Sequence, residues 1–294
     1  MKSTVTSKEA FEFLTENLSK IYELPEAQSV AKILFEDAFN IHDPSEDFME
    51  LKDLMKFSKY EARLMKNEPV QYVLGQADFY GLKLMVNSHV LIPRQETEEL
   101  VFNIRKNIKQ ENINKKIKIL DIGTGSGCIA IWLAKNIENV EVTAIDVSQD
   151  ALDVAIQNAK NNKVEVDFKV IDFLDEANWS DMEKFDIIVS NPPYIIPSEK
   201  AIMPNRVKDY EPHLALFVEA ADGLIFYRKI SEFAKSHLAP NGSIYLECNE
   251  FSGAKVMAHF NKVGYTNTHL EKDLMGKERM VIVSAEKQLS GQEV

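Results

Sequence analysis

Up to about residue 70, apolar residues recur three and four positions apart: Phe11, Leu14, Leu18 and Ile21, then Val30, Ile33, Leu34 and Ala38, then Phe48, Leu51, Leu54 and Met55. That period predicts amphipathic helices with one buried face each. Thr6 with Glu9 is a capping box for the first, Pro25 suits the first turn of the second, and Asp43-Pro44-Ser45 breaks the pattern before the third. From Pro69 to Leu100 the texture changes. Gly75, Gly81, Asn87 and Pro93 punctuate short alternating runs such as Leu82-Lys83-Leu84-Met85-Val86, which predict a β-hairpin connector ending in Val90 to Glu99, with a helix after it to about Lys109. Beyond Lys116, β-branched runs alternate with helical ones. Strands are expected at Ile117–Leu120, Val140–Ile145, Asp167–Ile171, Phe185–Val189, Ser243–Cys248 and Met280–Val283. This alternation marks an α/β domain with a mostly parallel sheet covered on both faces.

In such sheets ligands bind beyond the carboxyl ends of the strands. Several residues gather there. The first strand runs into Asp121-Ile122-Gly123-Thr124-Gly125-Ser126-Gly127, then a helix from Cys128. Its glycines allow close approach to a ligand, and the helix start offers free N–H groups. The second strand ends in Asp146, 23 residues past Gly123, where a carboxylate accepts hydrogen bonds from ribose hydroxyls. The third ends in Asp172-Phe173, a carboxylate and an aromatic face at the same rim. The fourth ends in Ser190-Asn191-Pro192-Pro193-Tyr194. Two prolines forbid continuation as strand or helix, so the turn is stiff and its carbonyls stay free to accept. With the Asn191 side-chain carbonyl and the Tyr194 ring, the turn suits a planar –NH2 group held through its two hydrogens.

Two cofactors compete for this rim. A nicotinamide dinucleotide requires G-x-G-x-x-G, but the third required position is Cys128, and Asp121 repels a pyrophosphate. S-adenosylmethionine carries a cationic amino end that Asp121 attracts, and it is the better candidate. Arg94, Glu96, Glu98 and Glu99 are read as a solvated helix start, with contact to a nearby site as the alternative. Glu247, Asn249 and Glu250 form a strand-end polar cluster without an assigned role. His213, His237 and His259 do not cluster and read as surface or core histidines. Ile195 to Ala220, with three prolines, is long enough to serve as a lid or substrate-binding loop.

Composition narrows the classes. The chain has 294 residues, 45% hydrophobic and 27% charged, which suffices for two globular domains. Its formal net charge is −12, and residues 1–75 carry nine Lys/Arg against fourteen Asp/Glu. An acidic balance argues against duplex nucleic acid as the main ligand, since phosphate contacts dominate that affinity. Cys128 and Cys248 are isolated, which fits a reducing compartment and no metal site. No apolar leader or spanning run is apparent, so a cytoplasmic protein without membrane attachment is expected. A disordered tail is expected beyond about Ala285.

The assembled motifs resemble the bacterial release-factor glutamine methyltransferases. The likeness runs from Glu68-Pro69-Val70-Gln71-Tyr72-Val73-Leu74-Gly75 through Leu91-Ile92-Pro93-Arg94 with Glu96-Thr97-Glu98, the glycine turn, Asn191-Pro192-Pro193-Tyr194 and Tyr210-Glu211-Pro212, to Gly276-Lys277-Glu278-Arg279. Asn-Pro-Pro-Tyr is shared with adenine and cytosine amino-methyltransferases; the connector motif is the specific one. The resemblance implies a helical substrate-recognition domain over residues 1–72, a β-hairpin connector over 73–96, and a seven-stranded, Rossmann-like class I methyltransferase domain over 97–294. It implies methyl transfer from S-adenosylmethionine, leaving S-adenosylhomocysteine, to the glutamine amide in the Gly-Gly-Gln tip of peptide chain release factors. A monomer that does not bind nucleic acid directly is expected. Gly123, Thr124, Gly125, Ser126, Gly127 and Asp146 match the family's cofactor positions; Phe173 stands where tryptophan is frequent, so weaker stacking is expected. Gln95 replaces a usual proline, and Phe217-Val218-Glu219-Ala220 departs from an acidic, glycine-rich stretch. A nucleic-acid adenine amino-methyltransferase is the principal alternative; a noncatalytic adaptor and a nicotinamide oxidoreductase are the others.

Overall fold

The computed structural model describes residues 5–108, 116–218 and 223–285, with residues 201 and 202 by their backbone alone. The expected tail past Ala285 and the Glu219-Ala220 part of the divergent stretch lie outside the described residues. The chain divides into two compact units.

The first unit comprises residues up to Ala77, Val86–Ser88 and Met203–Tyr210. Helix α1 spans Ser7–Leu18, and its capping box is formed: the Thr6 side chain accepts from the Glu9 N–H while the Glu9 carboxylate accepts from the Thr6 N–H. Helix α2, Leu24–Phe39, ends at Asn40 in the left-handed region. Helices α3, Leu51–Leu64, and α4, Val70–Leu74, follow. Their apolar faces meet around Phe35, whose ring makes edge contacts with Phe11, Phe39 and Phe57. Arg63 fastens α4 by donating to the Val73 and Tyr72 carbonyls, both at 3.0 Å, while paired with Glu68. A late segment also belongs here: Arg206 pairs with Glu26 and lies over the Tyr22 ring, and the Tyr210 hydroxyl donates to the Lys66 carbonyl at 2.7 Å.

The expected hairpin forms from β1, Gln76–Phe79, and β2, Leu82–Met85. Helix α5 spans Gln95–Asn107. Gln95 is thus the first helical residue, a position that tolerates proline and glutamine alike.

The second unit holds Asp78–Met85, His89–Ile202 and Glu211 onward. In chain order it contains β3, Ile117–Ile122; α6, Cys128–Asn136; β4, Val140–Asp146; α7, Gln149–Asn162; β5, Asp167–Val170; and β6, Phe185–Ser190. There follow α8, Asn205–Tyr210, which lies in the first unit, and α9, His213–Leu216. The fold is completed by α10, Ile225–His237; β7, Leu238–Glu247; α11, Gly253–Lys262; β8, Asn267–Lys272; and β9, Glu278–Ser284.

The sheet has seven strands in the order β5-β4-β3-β6-β7-β9-β8. Pairings are parallel from β5 through β7, and β9 is antiparallel to both β7 and β8. Strand alternation divides the core. Ile119, Val142, Ile187 and Tyr245 face α5 and α6, while Leu120, Ile145, Ile188 and Leu246 face α10 and α11. Successive strands run outward from β3 through β4 to β5, then the chain returns to β3's other side at β6. That reversal puts a topological switch point between β3 and β6, the place where open α/β sheets bind their ligands.

Candidate active site

The glycine turn between β3 and α6 is held against β4: the Gly123 and Thr124 N–H groups donate to the Ile145 carbonyl at 2.9 and 3.0 Å. Gly127 has φ 80°, and a Cβ there would lie 2.8 Å from Ile131 Cδ1 and 3.1 Å from Ala155 Cβ. Only glycine serves, because both the backbone conformation and the space exclude a side chain. A Cβ on Gly123 or Gly125 would meet nothing within 4 Å, so the open side of the turn has room for a ligand. Asn158, fully buried on α7, accepts from the Met85 N–H and donates to the Met85 and Ser126 carbonyls. The end of the hairpin and the glycine turn are thereby clamped to one side chain.

Asp121 lies beneath this turn with no exposed surface. The Thr124 hydroxyl donates to its Oδ2 at 2.7 Å, whereas Oδ1 has no hydrogen-bond partner. Burial pushes the carboxyl up to about 7, the nearby Asp146 charge adds to the rise, and the hydrogen bond from Thr124 opposes it. A buried carboxylate oxygen without a donor is costly, and a cationic group satisfies it. Asp146 accepts from the Gly125 N–H at 2.9 Å and the Ser148 N–H at 3.0 Å, and burial raises its pKa against those bonds. Its carboxylate retains lone pairs for hydroxyl donors. Asp121, Thr124, Gly125 and Asp146 are thus brought together as one connected group.

Asp172 stands exposed beyond β5, accepting from the Leu174 N–H at 3.0 Å. Phe173, the aromatic expected at this rim, packs inward. Its ring is 4% exposed, with centroids 5.4 Å from those of both Trp179 and Phe233. The sequence places an aromatic after the strand-end aspartate but not the Trp179 and Phe233 rings that draw it into the core.

At the end of β6, the Ser190 hydroxyl donates to the Ile122 carbonyl at 2.7 Å, tying this strand end to the glycine turn. The half-buried Asn191 donates through Nδ2 to Thr97 Oγ1 at 3.2 Å, and the Thr97 hydroxyl donates to Glu247 Oε2 at 2.6 Å. Pro192 and Pro193 follow, then Tyr194, whose phenol is pushed well up by burial and the Glu247 charge. The close approach of the Tyr194 carbonyl requires glycine at 223, where a Cβ would lie 2.7 Å away.

Arg94, Glu98, Glu99 and Glu247 take parts that the sequence reading left open. Arg94 is no solvated helix start: it pairs at 2.6 Å with Glu211, whose side chain is 1% exposed and also accepts from the Ile92 N–H at 3.3 Å. Glu98 and Glu99 likewise accept backbone N–H groups, of Tyr80 and Leu274. Glu247 sits at the end of β7 beside β6, and the strand order makes it a neighbour of Asn191. Its strand-end position was the available signal. The loop after Tyr194 is closed at its neck, where Ile195 bonds with Leu216 and Val218 at 3.1 and 3.0 Å. Among the described residues, no three His, Cys, Asp or Glu are grouped to hold a metal ion, and no helix is long and apolar enough to cross a membrane.

The sheet order, the glycine turn at its switch point and the carboxylates around it define a class I methyltransferase. Residues 98–214 match the family model "Methyltransferase small domain". A methyltransferase structure from Pyrococcus furiosus superposes with a TM-score of 0.50 at 21% identity, covering 77% of this chain and 98% of that one. The chain is 47% identical over 232 residues to the release factor glutamine methyltransferase of Flavobacterium psychrophilum, covering 79% of this chain and 80% of that protein. To the Bacteroides thetaiotaomicron enzyme of the same name it is 38% identical, covering 92% of this chain and 96% of the relative. The chain belongs to the release factor glutamine methyltransferase family.

Proposed function

We propose that the protein transfers a methyl group from S-adenosylmethionine to the side-chain amide nitrogen of the glutamine in the Gly-Gly-Gln tip of peptide chain release factors. The observation that carries this reading is Asn191, held at the switch point with its Nδ2 engaged by Thr97 and its Oδ1 left to accept, beside the Pro192 carbonyl. The residues fit the cofactor. The unpartnered Asp121 Oδ1 suits its amino group, Asp146 its ribose hydroxyls, and the backbone from Gly123 through Thr124, Gly125 and Ser126 to Gly127 its close approach, with Asp172 a further acceptor at the rim. When bound, S-adenosylmethionine supplies an electrophilic methyl group.

An amide nitrogen is a poor nucleophile because its lone pair is delocalised into the carbonyl. Asn191 Oδ1 and the Pro192 carbonyl each accept one amide hydrogen and so fix the direction of the lone pair. Tyr194 packs against the amide plane. Orientation of this kind supplies much of a barrier reduction without a strong base. The nitrogen gains the methyl group and loses one of its two protons; neither acceptor is basic enough to keep it, so it passes to water. We assign substrate recognition to the helical unit.

The test is methyl transfer from labelled S-adenosylmethionine to a purified release factor, with a Gly-Gly-Asn variant of that factor and single- and double-stranded DNA in parallel. Label in the wild-type factor alone supports the reading. Label only in DNA overturns it in favour of an amino-methyltransferase of nucleic acid.

A further inference from the structure

Asparagine can present either end of its amide, and only one end serves here. If Nδ2 faced the substrate, two NH2 groups would oppose each other and the grip would fail. What selects the orientation lies behind Asn191, in residues contributed by two other elements. Thr97 is in the first turn of α5 and Glu247 at the end of β7; they are 2% and 3% exposed. Their hydrogen bond, at 2.6 Å, links positions 150 apart in sequence. Tyr227 on α10 holds the same strand end by donating its hydroxyl to the Glu247 carbonyl at 3.0 Å.

An ionised carboxylate can only accept. The single hydroxyl proton of Thr97 is therefore committed to Glu247, and Oγ1 retains only lone pairs. A group with only lone pairs can bind the Nδ2 end of Asn191 and not the Oδ1 end. We infer that Thr97 is a positioning residue for methyl transfer, polarised by Glu247 so that it holds the Asn191 amide with Nδ2 inward and Oδ1 toward the substrate. This rests on the role proposed for Asn191. Neither Thr97 nor Glu247 touches the reacting atoms; both act through Asn191.

The decisive comparison is Thr97→Val against Thr97→Ser in the full-length protein, with Asn191→Ala and the double variant Asn191→Ala/Thr97→Val alongside. Steady-state methylation of a release factor gives kcat and KM, and direct titration gives cofactor affinity. Thr97→Val keeps the side-chain shape but cannot accept, and kcat is expected to fall roughly tenfold to a hundredfold, the scale of a misplaced reactant. KM and cofactor affinity should stay within about threefold, since the interaction orients a reactant and does not bind one. Thr97→Ser restores the hydroxyl and should recover most of kcat. In the Asn191→Ala background the valine should cost nothing further. Equal kcat for the valine variant and the wild type, with Asn191→Ala strongly impaired, overturns the inference and leaves the proposed function standing. Full turnover by Asn191→Ala removes the reading of the site itself. Should Thr97→Val fail to fold, Glu247→Gln decides: its amide can donate as well as accept, so polarity is lost and kcat should fall, and unchanged kcat overturns the inference.

Discussion

At the residue scale, the site rests on two buried carboxylates whose charge is held at a cost. Asp121 and Glu247 are both pushed up to about 7 by burial; Glu247 is raised further by Glu96 and lowered by Thr97, Arg279 and Arg94. Between their unfolded pKa values, near 4, and about 7, each binds more proton folded than unfolded. Their contribution to stability therefore falls as pH rises through that window. Activity should run the other way. Protonated Glu247 can donate to Thr97 and free its hydroxyl to donate to Oδ1, the wrong end of Asn191, so kcat at saturating cofactor should fall below about pH 7. Measured kcat that is flat from pH 6 to 8 would exclude this. Asp121→Asn should stabilise the unliganded protein at pH 8 by roughly 1–3 kcal/mol, the scale of relieving a buried unpaired charge. The same variant should weaken S-adenosylmethionine binding at least tenfold. Melting curves and ligand titration together check the pair of effects, and a variant that loses both stability and affinity would contradict the account. Because a bound cation lowers the Asp121 pKa, binding at pH 7 should also release protons, read as a dependence of calorimetric enthalpy on the buffer's ionisation enthalpy.

At the scale of elements, six of the seven sheet strands were read from the sequence, among them the largely exposed edge strand β5. β3, β4, β6 and β9 read plainly. β8, Asn267–Lys272, went unread because Thr268 and Leu270 are only half-buried and the remainder is polar and exposed. β7 begins at Leu238, five residues before the expected Ser243, because Ala239-Pro240-Asn241-Gly242 looks like a turn. The structure absorbs it as a register shift between Phe185 and Ile187, with Asn241 at φ 67°. The glycine turn and the Asn-Pro-Pro-Tyr turn were legible because each lies within a few residues of a strand end. The Thr97–Glu247 and Arg94–Glu211 pairs were not, since each joins residues more than a hundred positions apart that only the packing of the start of α5 brings together. Gly127→Ala tests the turn that starts α6. Left-handed backbone and the clash with Ile131 should cost about 1–3 kcal/mol and reduce cofactor affinity with it. A variant with unchanged melting temperature and affinity would show that the turn can be rebuilt.

For the whole molecule, the two units invite separate perturbation. Phe35 is the hub of the helical core, and Phe35→Ala should destabilise that unit by roughly 3–5 kcal/mol. If the helical unit recognises the protein substrate, this variant should lose release-factor methylation while retaining S-adenosylmethionine binding, measured by titration. Equal loss of both would argue against that division of labour. The first unit is also discontinuous: helix α8 joins it from Met203–Tyr210, 126 residues beyond Ala77. On the ribosome, Tyr22 and Glu26 emerge early, but Arg206, which engages both, is translated only after most of the sheet strands. At ~5–20 residues per second, the nascent bundle waits on the order of ten seconds for its last helix. A release factor glutamine methyltransferase of this topology thus completes its helical unit only after β3 to β6 of its sheet have been made.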